Sequence, residues 1–150
     1  MAQASDLREY EAKAASTEVF GRVLCDVRNH HYIVDGPIWN DCPGEEVTPA
    51  ELFLSAVASC GVELMQMLSK RSEPPIPLQG VRIYIYGVVD RNNPVRSDVT
   101  LFNMVRLDIT LRGVTREQAA ELVAGYRARC PLMGTLSTAT PEVRVEVRNE

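Results

Sequence analysis

The stretch TPAELFLSAVASCGVELMQMLSK, residues 48–70, decides how the rest of the chain is read. Thr48 is a natural N-cap, and Pro49 suits the first helical position, where a missing N–H leaves nothing unpaired. Glu51 falls at N3 and completes a T-x-x-E capping box. Residues 52–62 hold no charge, so the helix is destined for burial. Lys70 and Arg71 complement the negative end of the helix dipole, and SEPPIP after them stops the helix. Cys60 rides in the middle of this apolar helix, and Cys130 opens the tripeptide CPL near the other end of the chain. A thiol in an apolar wall with a second thiol available points to redox chemistry more than to metal binding.

At 150 residues the chain suits one domain with a real core. Hydrophobic residues make up 45% and charged residues 24%, the balance of a globular protein, and the net charge of −4 offers no footprint for nucleic acid. Arginines interleave with acids, as in RVEVRNE, and read as a solvated face. The N-terminal run MAQASDLREYEAKAAS carries charge where a signal peptide needs an apolar stretch, and no stretch approaches membrane-spanning length. A cytoplasmic location is therefore expected. Four cysteines, Cys25, Cys42, Cys60 and Cys130, form no CxxC pair and no Cys/His cluster of zinc spacing, so no metal and no cofactor is expected. In a reducing compartment they are redox-active or simply buried.

Around the central helix the period changes. Residues 5–15 place Glu9 and Lys13 at i,i+4 and read as a weak helix or a loose arm, so residues 1–16 are an N-terminal arm and 17–150 the single domain. From 17 to 28, Val19, Gly21, Val23, Cys25 and Val27 share one parity, a strand with one buried face that places Cys25 in the core. A turn at Asn29-His30 and the strand HYIVD complete a β-hairpin. Residues 35–47 are a turn-rich loop that exposes Cys42 and carries Trp39, read as a loop anchor or a cover for the site. His30 and His31, adjacent in a turn, read as exposed. Beyond the helix, VRIYIYGVVD and FNMVRLDITLRG alternate as strands. A T-x-x-Q capping box at Thr115 and Gln118 opens a second helix through Ala119, Leu122, Val123 and Tyr126, interrupted at Cys130-Pro131. VRVEVR is the last strand. The order β-β-α-β-β-α-β, with mostly antiparallel strands, is α+β.

The helix PAELFLSAVASC, the strands after it and the CP motif before a short turn and a final strand resemble the family of osmotically inducible protein C and the organic hydroperoxide resistance proteins. The likeness runs over residues 18–148. It implies an intertwined homodimer with the cysteine-bearing helices central and the active sites at the subunit interface. It also implies a peroxidatic cysteine at Cys60, a resolving cysteine at Cys130, and an arginine from the first hairpin region that holds the thiolate. Arg28 matches that arginine best by position, with Arg22 the runner-up.

The chemistry sets its own demands. A thiolate, not a thiol, attacks the O–O bond, and a free cysteine of pKa about 8.5 is only ~10% ionised at pH 7.5. Lowering that pKa by about two units requires ~2.7 kcal/mol of preferential stabilisation of the anion, which an apolar wall alone cannot supply. If Pro131 opens a short helix, the Cys130 sulfur lies at a helix N-terminus, where an anion is favoured. The peroxide-reducing relatives place a glutamate directly after the helix-opening proline, where this chain has Ala50. Position 50 lies about 80° round the helix from Cys60, whereas Glu51 lies about 180° away, so Glu51 reads first as the cap and only second as a catalytic group. Glu63, about 60° from Cys60, either orients the arginine or pairs with a surface or dimer-interface cation.

The sequence is thus read as a homodimeric thiol-dependent peroxidase, nearer the broad OsmC-like relatives. It would reduce organic hydroperoxides through a Cys60 sulfenic acid and a Cys60–Cys130 disulfide, with a dithiol or a lipoylated protein as reductant. Neither nucleic acid nor membrane is expected as a partner. Two rivals stay open: a non-catalytic dimeric protein holding an apolar small molecule around Cys60, and a redox sensor that oxidises but turns over slowly.

Overall fold

Strand alternation and two capped helices account for most of the architecture. The structure is a computed structural model that describes residues 7–150, so part of the expected N-terminal arm lies outside the described residues. The elements are β1 (Lys13–Ser16), β2 (Arg22–Val27), β3 (His30–Asp35), α1 (Pro49–Arg71), β4 (Gly80–Val88), β5 (Met104–Arg112), α2 (Arg116–Arg129), α3 (Pro131–Ala139) and β6 (Val143–Asn149). They form an α+β protein with two three-stranded sheets, ordered β1-β2-β3 and β4-β5-β6. The chain divides into two compact units, one ending at Leu52 and one running from Phe53 to Glu150.

In the first unit all neighbours are antiparallel, with Val23 opposite Val34 and Cys25 opposite Tyr32. The segment expected as helix or arm ends in β1, whose Ala14 pairs with Cys25. The free edge of β2 overrides the weak helical spacing of Glu9 and Lys13. The strand expected from residue 17 starts only at Arg22, because Thr17 accepts the Val19 amide and Gly21 turns the chain at φ 76. The hairpin turn falls one residue earlier than expected, at Arg28-Asn29, with Arg28 at φ 56 and His30 already in β3.

One ion pair fixes the loop that follows. Asp35, wholly buried, accepts two hydrogen bonds from the Arg22 guanidinium at 2.8 Å each and two from the Glu45 and Glu46 amides. Glu45 closes on the same guanidinium at 2.6 Å. These donors, Arg22 foremost, hold the Asp35 carboxyl down at about 2. Cys42, expected to be exposed, is half-buried: its sulfur would lie 2.2 Å from a Cβ at Gly21 and 2.4 Å from one at Gly36. Cys25 is half-buried too, rather than in the core. Trp39 is 82% exposed.

In the second unit β5 is the central strand, and Val105, Leu107, Ile109 and Leu111 are fully buried on one face. Each such side chain stabilises the fold by about 1.5–3 kcal/mol relative to exposure. Antiparallel β4 sets Ile83 opposite Ile109. The last strand, β6, runs parallel to β5, with Val145 opposite Leu107, because α2 and α3 together carry the chain back across the sheet. The "short turn" expected after CP is the nine-residue helix α3. Along α1 the buried residues are Val57, Gly61, Leu64, Met65 and Ser69, a helical stripe. By length and composition alone α1 is long and apolar enough to cross a membrane. That corrects the expectation that no stretch comes near this. Its stripe packs in the core with Tyr126, Leu122 and Ile109.

Candidate active site

The site is built where α1 meets the break between α2 and α3. Cys130 closes α2, its amide donating to the Tyr126 carbonyl at 3.0 Å, and at the same residue opens α3 with Pro131 in the first turn. Proline at that position forces the break, since its ring fits the start of a helix and not its interior. The Cys130 sulfur accepts from the Met133 amide at 3.3 Å, so it acts as the N-cap of α3. Its thiol points at α1 and donates to the Cys60 sulfur across 2.7 Å. Both thiols are free; Cys130 is buried and Cys60 half-buried.

Electrostatics at this pair run against ionisation. Burial pushes the Cys60 thiol up to about 12, with the close Cys130 sulfur and then the Glu63 carboxylate adding to the shift. Among the described residues no cation counters these effects on Cys60. Tyr126 lies against the pair: its hydroxyl donates to the Val57 carbonyl at 3.1 Å, and its ring occupies the space left open by Gly61, where a Cβ would come within 2.9 Å of Cζ. Burial, with both sulfurs adding, keeps the phenol protonated and therefore a donor.

Cys60, Cys130 and Glu63 are therefore neighbours within one unit. Glu51 is engaged elsewhere: its carboxylate accepts from the Thr48 amide and hydroxyl at 2.7 Å each, while its own amide donates to the Thr48 hydroxyl. Those donors lower its pKa. Arg28 belongs to the first unit, exposed at the hairpin tip, without an ion pair among the described residues. Arg22 is committed to Asp35 and Glu45. His31 is exposed and pairs with Asp26. Among the described residues no group of three His, Cys, Asp or Glu side chains is placed to hold a metal ion. Tyr126 was legible only as a core position of α2; its spacing of one turn from Cys130 was the available signal. A groove of about 880 Å³ lies between α2 and β6 over Ala120, Ala124 and Val147, and neither cysteine of the pair lines it.

The family described as "OsmC-like protein" matches residues 42–146. Among solved structures, the chain is similar to an OsmC-like protein from Mycoplasma pneumoniae at 16% identity and TM-score 0.80, covering 95% of this chain and 97% of that one. It is also similar to an organic hydroperoxide resistance protein from Elizabethkingia anophelis at 17% identity and TM-score 0.78, covering 98% and 100%. A third is the organic hydroperoxide resistance protein OsmC from Legionella pneumophila, at 18% identity and TM-score 0.75, covering 96% and 99%. No curated protein matches the sequence.

Proposed function

Because the chain belongs to the OsmC-like protein family, we propose that it is a thiol-dependent peroxidase acting on organic hydroperoxides as a homodimer in the cytoplasm. The observation that carries this reading is the approach of two free thiols, 70 residues apart in sequence, to 2.7 Å. Two cysteines packed only as small hydrophobes have no need of such an approach. The Cys60 thiolate attacks one peroxide oxygen, the O–O bond breaks, and the alcohol leaves after taking a proton, so that Cys60 becomes a sulfenic acid. Cys130 then attacks that sulfur, water leaves, and a Cys60–Cys130 disulfide closes. A dithiol or a lipoylated protein is oxidised in returning both thiols.

A thiol raised to about 12 needs a cation before it can react at neutral pH. Arg28 takes that role in this reading, since its guanidinium is exposed and carries no ion pair among the described residues. Its φ of 56 is a conformation that a non-glycine residue enters at a cost, a pattern common at functional positions. Glu63 orients the arginine. Glu51 is left to its cap. The same raised thiol favours a second reading, an OsmC-like protein that binds an apolar molecule or a slow redox sensor. Steady-state consumption of cumene hydroperoxide with a small dithiol separates them. Wild type should turn over, Cys60→Ser should be inactive, and Cys130→Ser should complete no more than the first oxidation. Full turnover in Cys60→Ser would rule the peroxidase mechanism out.

A further inference from the structure

We infer that Tyr126 is a positioning residue for the dithiol, clamping α2 to α1 so that Cys130 is held against Cys60. This rests on the reading of the two cysteines as a redox pair. The Tyr126 hydroxyl bonds the Val57 carbonyl, one helical turn before Cys60, while the Tyr126 carbonyl accepts the amide of Cys130, one turn further on. Each end of the clamp is therefore one turn from a sulfur. The accepting carbonyl already serves the Gly61 amide within α1 by ordinary helical geometry, so the phenol is not rescuing an orphan acceptor. Gly61, directly after Cys60, makes the contact possible. A Cβ there would stand 2.6 Å from Ile83 Cδ1 and 2.9 Å from Tyr126 Cζ, so any side chain must displace the ring or the strand beneath it.

Pre-positioning matters because forming a disulfide is an intramolecular exchange whose equilibrium follows the effective concentration of one thiol at the other. Removing the hydroxyl frees the last turn of α2 to drift and lowers that concentration. One net hydrogen bond corresponds to about threefold to tenfold in an equilibrium constant.

The test equilibrates the full chain in buffers of reduced and oxidised dithiothreitol, which need no peroxide chemistry, and quantifies the Cys60–Cys130 disulfide by alkylation and mass spectrometry. Thermal melts of the reduced proteins run in parallel. Tyr126→Phe, which keeps the ring, should shift the equilibrium toward the dithiol by about threefold to tenfold, and Gly61→Ala should shift it the same way. Variants that melt lower but match wild type in the redox titration would overturn the role, leaving the hydroxyl a structural contact. A wild type that never forms the bridge would instead remove the redox reading itself, a distinguishable failure.

Discussion

The state of one sulfur governs the chemistry. Cys60 sits where burial, a neighbouring thiol and the Glu63 carboxylate all resist its ionisation, pushing it up to about 12. An opposite charge within reach lowers such a value by about 1–3 units. If Arg28 supplies that charge, Arg28→Ala should raise the pH of half-maximal Cys60 alkylation by about one unit or more, as read by iodoacetamide rates across pH in the reduced protein. Glu63→Gln separates two roles: if the carboxylate orients the arginine, both alkylation near neutral pH and peroxide turnover should fall, whereas loss of a repulsive charge alone would quicken alkylation. Coincident alkylation profiles for Arg28→Ala and wild type would take Arg28 out of the site. The cysteine pair was legible in the sequence because an uncharged helix around one thiol and a proline after the other are both local signals. Tyr126 was not, because its contact with Val57 joins residues far apart in the chain and no local pattern announces it.

Capping chemistry explains why α1 and α2 were legible with their starting points. Thr48 with Glu51 and Thr115 with Gln118 both form reciprocal capping boxes. Glu51→Ala should therefore destabilise the protein by about 1 kcal/mol in urea denaturation while leaving the rate of Cys60 oxidation unchanged. A collapse of that rate with stability intact would return Glu51 to the chemistry. Strands were less legible where pairing, not propensity, forms them. The residues of β1, KAAS, carry no strand signal and are recruited by β2. The turn at Arg28 needs a positive φ that arginine does not advertise. The parallel pairing of β6 depends on the return path through α2 and α3, which alternation in VRVEVR cannot encode.

At the scale of the whole molecule, the chain belongs to the OsmC-like protein family, and within the first unit the part-buried Arg22–Asp35 pair holds the sheet to its following loop. Asp35 is depressed from 3.8 to about 2. A depressed carboxylate contributes stability above its unfolded value, and that contribution is lost as pH falls through the folded one. Wild type should thus lose stability on acidification from about pH 4 to about pH 2. Asp35→Asn should start lower and show a shallower dependence in that window, as followed by circular dichroism in urea at each pH. Parallel acid profiles would show that the pair does not set it. The central claim, that Cys60 and Cys130 are a working redox pair, is met most directly by treating the reduced protein with one equivalent of cumene hydroperoxide, or of hydrogen peroxide in parallel, and mapping disulfides by mass spectrometry. A rapid Cys60–Cys130 bridge, favoured by the organic oxidant and absent in Cys60→Ser, is the expected result; free thiols at both positions after minutes would contradict it.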